Sequence, residues 1–172
     1  MKSSITIPNK IIAPFLKFLE YFKSLGDLLV RFWLANIFFQ SGLSKITDWN
    51  TTVVLFKYDY HVPFLSPETA AYLGTGMEFL LPLLLVLGLG GRLAIFIFFI
   101  YNLVCVLSFG FLWTTAGAAG LNDHINWGLL LMLLMLHGSG KFSLDYLIHK
   151  KWGYYFKLGE KNEYKWPDSN AK

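Results

Sequence analysis

The residue whose chemistry stands out is Glu78, in TGMEFLLPLLLVLGLGGR (75–92), where nearly unbroken leucine follows it. A carboxylate there can pair with a cation, carry a proton or bind a polar head group. It must do something, because a charge near the bilayer centre costs roughly 3 kcal/mol even on insertion scales. Other polar residues lie in equally apolar company. Gln40 and Lys45 end VRFWLANIFFQSGLSK (30–45), Asn102 and Cys105 interrupt FIFFIYNLVCVLSFG (96–110), and His124 and Asn126 precede the leucines of LNDHINWGLLLMLL (121–134). If a span begins at residue 69, a rise of about 1.5 Å per residue puts Glu78 on the order of 13 Å deep. Asn36 reaches a similar level from the first span. Gln40, Lys45 and His124 lie nearer the outer face. The expected cluster is therefore Glu78, Lys45, Gln40, Asn102 and His124, with Glu78 turned inward and paired with Lys45.

This cluster has two readings. In the functional one, Glu78, Lys45 and His124 handle protons while Gln40 and Asn102 contact a quinone head group, since a buried carboxylate beside a histidine exchanges protons near neutral pH. In the structural one, an ion pair and some amides hold helices together, each contact contributing only about 1 kcal/mol. Other candidates carry less. Met132, Met135 and His137 suggest a soft copper site with Cys105, but methionines in an apolar span are usually packing and His137 falls well below Cys105 in depth, so no metal site is expected. HGSGK (137–141) lacks the preceding glycine of a phosphate loop and follows a membrane helix instead of a strand.

The elements that must position these groups follow from composition. The 172 residues are 55% hydrophobic and only 15% charged, which points to a membrane protein of one compact domain. The net charge of +4 comes from basic residues beside apolar runs, not from a basic patch on a polar domain, so nucleic acid is not an expected partner. Cys105 is the single cysteine, which excludes an internal disulfide. Lys10 and Pro8 interrupt any signal-peptide core, so the N-terminus is expected to be retained.

Residues 11–26 alternate a Phe/Leu face with Lys17, Glu20 and Lys23, the pattern of an interfacial amphipathic helix. Spans are expected at about 27–45, 69–89, 92–113 and 122–139, with GLGGR forming a tight hairpin between the second and third. Residues 46–68 read as a short amphipathic piece and an extended Pro-containing stretch on the membrane face. With the N-terminus inside, all lysines and arginines but Lys45 and Lys57 are cytoplasmic. The positive-inside rule thus gives four spans with both termini cytoplasmic, Arg31 and Arg92 acting as topology determinants. Arg31 can also pair with Asp27 or Asp145. The fold class is all-α: an integral membrane four-helix bundle with an N-terminal interfacial helix. Its parts are a cytoplasmic or interfacial segment (1–26), the four-helix domain (27–147) and a cytoplasmic basic-aromatic tail (148–172).

Three stretches in order, VRFWLANIFFQSGLSKI, VPFLSPETAAYLGTGMEFLLPLLLVLGLGGRLA and HGSGKFSLD, resemble the DoxX family of small four-helix bacterial membrane proteins over about residues 27–147. The resemblance highlights Arg31, Gly42, Lys45, Pro63, Glu78, Gly88, Arg92, Gly138, Gly140 and Asp145. Relatives include a subunit of archaeal thiosulfate:quinone oxidoreductase, and others are associated with redox-stress complexes or lie near genes for modified copper-binding peptides. It implies an inner-membrane subunit of a redox system, either quinone-linked or anchoring a partner oxidoreductase. The sequence has no haem ligand pair, flavin fold or cysteine cluster, so electrons would come from a quinone or a partner. The alternatives are a small transporter, which would need a homo-oligomer for enough helices, an accessory factor for metal handling or envelope stress, and a structural anchor.

Overall fold

The computed structural model describes residues 9–152 apart from Ser139 and Lys141. The beginning of the expected N-terminal segment and most of the basic-aromatic tail lie outside the described residues.

The first helix, α1 (Asn9–Thr47), runs for 39 residues, about 58 Å at 1.5 Å per residue. The interfacial piece and the first span, expected as separate elements, form one helix. Nothing between Lys23 and Arg31 removes a backbone N–H, and Gly26 demands no unusual φ. Phe15, Leu16, Phe18, Leu19 and Phe22 are all exposed.

Helix α2 (Trp49–Tyr58) starts where the Asp48 carboxylate accepts the Thr51 N–H at 3.1 Å, filling one of the orphan donors of a first turn. A loop leads to α3 (Pro67–Leu87), whose Ser66 cap, N-terminal Pro67 and first-turn Glu68 are all features that favour a helix start. Gly88 closes α3 in the left-handed conformation at φ 63°, and Gly90 and Gly91 are also at positive φ, which gives the tight hairpin into α4 (Gly91–Ser108). A 3-10 turn (Gly110–Trp113), α5 (Ala118–His137) and α6 (Leu144–Trp152) complete the described chain. Helix α6 runs across residues 147 and 148, so the tail begins as a helix.

α1, α3, α4 and α5 each give two residues to one core: Leu34 and Phe38, Leu81 and Leu85, Ile95 and Phe98, Leu131 and Leu134. α1 packs mainly on α3, and α4 mainly on α5. A satellite cluster of Phe56, Ala70 and Ala71 seats α2 against the start of α3. α3 and α4 are long and apolar enough to cross a membrane. Outside the core, Leu83, Leu93, Phe96, Leu107, Leu129 and Leu136 are exposed, an apolar exterior that water would not tolerate on a monomer.

Candidate functional site: a buried ion pair between two cavities

Glu78 lies just past the middle of α3 and is 5% exposed. Lys45, near the end of α1, reaches it with Nζ at 2.8 Å from both Oε1 and Oε2. Ser41, one turn earlier on α1, donates its hydroxyl to Oε1 at 3.0 Å and accepts from Lys45 Nζ at 2.8 Å. Carboxylate, ammonium and hydroxyl thus form a closed triangle, the condition under which a buried pair can offset its desolvation. The two helices come this close because of Gly42. A Cβ there would lie 3.1 Å from Glu78 Cβ and from the Phe79 ring. Pro82, four residues after Glu78, has no N–H to give the Glu78 carbonyl, so α3 lacks one backbone bond at the site.

Two cavities flank the pair. The larger, 170 Å³, lies between α3 and α4 under the loop after α2; Leu73, Met77 and Val104 form its apolar wall, and Lys45, Glu78, Tyr101 and Ser108 its polar part. Tyr101 donates its hydroxyl to Gly74 O at 3.0 Å and lies close enough to the Glu78 carboxylate and the Cys105 thiol to interact with both. The smaller cavity, 110 Å³, runs from Glu78 and Ser41 to His124 and Trp127. Tyr60, Glu78 and Cys105 line both cavities and stand between them.

His124 and Asn102 form a unit of their own. Asn102 is buried and its amide N–H donates to His124 O at 3.0 Å. That orientation turns Asn102 Oδ1, an acceptor, to His124 Nδ1 at 2.8 Å. Nδ1 therefore carries the proton, and Nε2 of the neutral ring is the acceptor. The ring is held edge-on by Trp127 at 4.6 Å. Two expected head-group contacts are corrected here. Asn102 lines neither cavity, because its amide is spent on His124. Gln40 is exposed, because one residue before Ser41 on a helix is a turn of about 100° away from the pair. The missing information was the angle around the helix axis, and the same lack hid Ser41 and Tyr101, while Tyr60 was hidden by the path of the loop after α2. The alternation of Phe38, Ser41 and Lys45 at helical spacing was the signal that could have found Ser41.

Of the other residues highlighted by resemblance, Pro63 lies on the loop after α2, and the rest gather at the opposite end. Arg31, 1% exposed, donates Nη2 to Gly138 O at 3.2 Å and Nη1 to Phe142 O at 3.4 Å. These carbonyls, not Asp27 or Asp145, take its direct hydrogen bonds. Asp145 instead accepts the Gly90 N–H at 3.3 Å, and Asp27 pairs with His137 at 3.0 Å. Arg92 donates to Leu136 O at 3.3 Å. Gly138 and Gly140 sit at φ 81° and 63°, and a Cβ on Gly88 would come within 2.5 Å of Ser143 Cβ. This end is a latch that joins α1, the α3–α4 hairpin, α5 and α6. No group of three or more metal-ligating side chains occurs among the described residues.

Neither a curated protein nor a solved structure matches the chain. A family model does, over residues 26–114, more than half of the sequence, from the last turns before Arg31 to the end of the 3-10 turn. That stretch contains Arg31, Gly42, Lys45, Pro63, Glu78, Gly88 and Arg92 in one alignment, and with the apolar α3 and α4 it identifies the chain as a member of the DoxX family of membrane proteins.

Proposed function

We propose that this protein is an inner-membrane subunit of a redox system, in which the cavity beside Glu78 receives a quinone and a partner oxidoreductase supplies the electrons. α1, α3, α4 and α5 cross the bilayer, both chain ends are cytoplasmic, and α2 lies on the outer face. The observation that carries this reading is the placement of a carboxylate–ammonium pair at one side of a mostly apolar cavity.

The residues fit such a group. A cavity of about 150 Å³ is known to hold one benzene ring, so 170 Å³ accommodates a quinone ring. Glu78, Lys45, Tyr101 and Ser108 would hold its oxygens, and Leu73, Met77 and Val104 its apolar part. When bound, a quinone supplies the exchange of two electrons and two protons. The protein's own part is to hold and move protons. Glu78 takes up a proton at Oε1 or Oε2 and delivers it to a quinone oxygen as reduction proceeds, and Lys45 Nζ stabilises the carboxylate whenever its proton has left. Across the smaller cavity, His124 has its Nδ1–H committed to Asn102, which leaves Nε2 to relay a proton between the outer face and Glu78. The apolar helix faces exclude water.

The test is to purify the tagged protein from native membranes in mild detergent and quantify quinone and co-purifying proteins. Near-stoichiometric quinone is expected. Glu78→Gln should retain at least about tenfold less, the consequence of losing a charged hydrogen-bond partner. A wild-type protein that carries no quinone overturns the quinone assignment. Equal quinone in wild type and Glu78→Gln removes Glu78 from the site. Glu78→Gln protein that fails to assemble supports the structural-anchor reading.

A further inference from the structure

The larger cavity touches two different surroundings. On one side its lining includes Leu73 of α3 and Val104 of α4, which are 51% and 42% exposed. The cavity therefore reaches the protein surface between them, on the two helices whose apolar length suits a bilayer. α3 and α4 are joined at their hairpin but pack chiefly on other partners, α3 on α1 and α4 on α5, which leaves the seam between them thin at this level. On the other side is an open vestibule of 540 Å³, lined by Lys57, His61 and Pro63 among others, and sharing Phe56, Tyr60, Val62, Leu65 and Ala70 with the cavity.

The shared wall is built to stay shut. Tyr60 is stacked between Phe56, at 4.6 Å and 13°, and Phe109, at 4.5 Å and 9°. The backbone reinforces the stack, because Tyr60 bridges to Phe109 and the His61 N–H donates to Ser108 O at 2.8 Å. Parting these rings means exposing three aromatic faces and breaking the loop's tie to α4. The seam between Leu73 and Val104 is tied by one hydrogen bond, from the Tyr101 hydroxyl to Gly74 O, and has otherwise side-chain contact to part.

We propose that the Glu78 cavity is loaded from the lipid phase between Leu73 and Val104, and that the wall of Phe56, Tyr60, Val62, Leu65 and Ala70, pinned by the stacking of Tyr60 between Phe56 and Phe109, seals it from the aqueous vestibule. The occupant is a membrane-dissolved amphiphile with an uncharged, hydrogen-bonding head and an apolar tail that leaves past Leu73 and Val104. The head is uncharged because Glu78 and Lys45 already neutralise each other, so an added charge would find no counter-ion. This rests on the reading of the cavity given above, but it does not require the head to be a quinone.

Cys105 is the only thiol in the chain and lines this cavity, so it reports access. In liposomes with reagent on both sides, Cys105 alkylation is compared for a charged, membrane-impermeant maleimide and a lipid-soluble aryl maleimide. The aryl reagent should label the wild type. The charged one should not, although it labels a Cys105→Ser, Phe64→Cys control, since Phe64 is fully exposed on the loop. Tyr60→Ala should raise charged-reagent labelling by at least about tenfold by opening the seal, while Tyr60→Phe, which keeps the stack, should not. Leu73→Trp with Val104→Trp should slow the aryl reagent alone. Charged labelling of wild type as fast as the control overturns the proposal. So does an aryl rate that is zero, or that the tryptophans leave unchanged in folded protein. Labelling reads access without quinone: the expected pattern in a protein that carries no quinone would discard the quinone and keep the lipid entrance, and the reverse combination would do the opposite.

Discussion

At the scale of single residues, the pair of Glu78 and Lys45 is worth more broken than whole. Its two charges lie at 6% and 13% side-chain exposure and are satisfied through four hydrogen bonds that include Ser41. Removing one partner leaves an uncompensated charge in an apolar site, at a cost of about 3–5 kcal/mol. Lys45→Met should therefore lower the thermal unfolding midpoint in detergent strongly. Glu78→Gln combined with Lys45→Met should recover most of that loss. Additive effects of the two substitutions would show that the groups do not act as a pair. Glu78 and Lys45 were legible because each is conspicuous in an apolar segment. Ser41 and Tyr101 were not, since a serine or tyrosine in a membrane helix is common and only its direction makes it part of the site.

At the scale of elements, the close contact of α1 and α3 depends on Gly42, where any side chain would press on Glu78 Cβ and the Phe79 ring. Gly42→Ile should cost about 1–3 kcal/mol through overpacking and push Lys45 away from Glu78. Gly76 is the contrast on α3, because a Cβ there meets nothing within 4 Å. Gly76→Ala should be neutral or stabilise by up to about 1 kcal/mol, from helix propensity alone. Thermal unfolding of the two variants side by side checks the argument, and equal effects would refute the packing role of Gly42. The hairpin at 88–91 was readable from its glycines. The continuity of α1 was not, because amphipathic and spanning stretches differ in composition while the backbone between them has no reason to break.

At the scale of the whole molecule, the buried ion pair and the Arg31 latch sit at opposite ends. The end near α2 holds the ion pair and the cavities, and the end near α6 holds the Arg31 latch. The charge distribution predicts that the latch faces the cytoplasm. A reporter that is active only in the cytoplasm should work when fused after Lys172, and one that needs export should work when inserted beside Phe64. The opposite pattern would invert the proposed proton path, since His124 would then lie toward the cytoplasm.

From its own order of residues, the chain determines that it is helical and apolar outside, where the α3–α4 hairpin turns, and how far along its helix each polar residue lies, because hydrophobicity, glycine conformation and helical rise are local properties. Only the tertiary structure decided which of those residues meet. The rotation of each helix about its axis comes from packing against the others, and that rotation turned Gln40 out, joined Asn102 to His124, brought Ser41 and Tyr101 to Glu78, and gathered Arg31, Gly88, Gly138 and Asp145 into one latch.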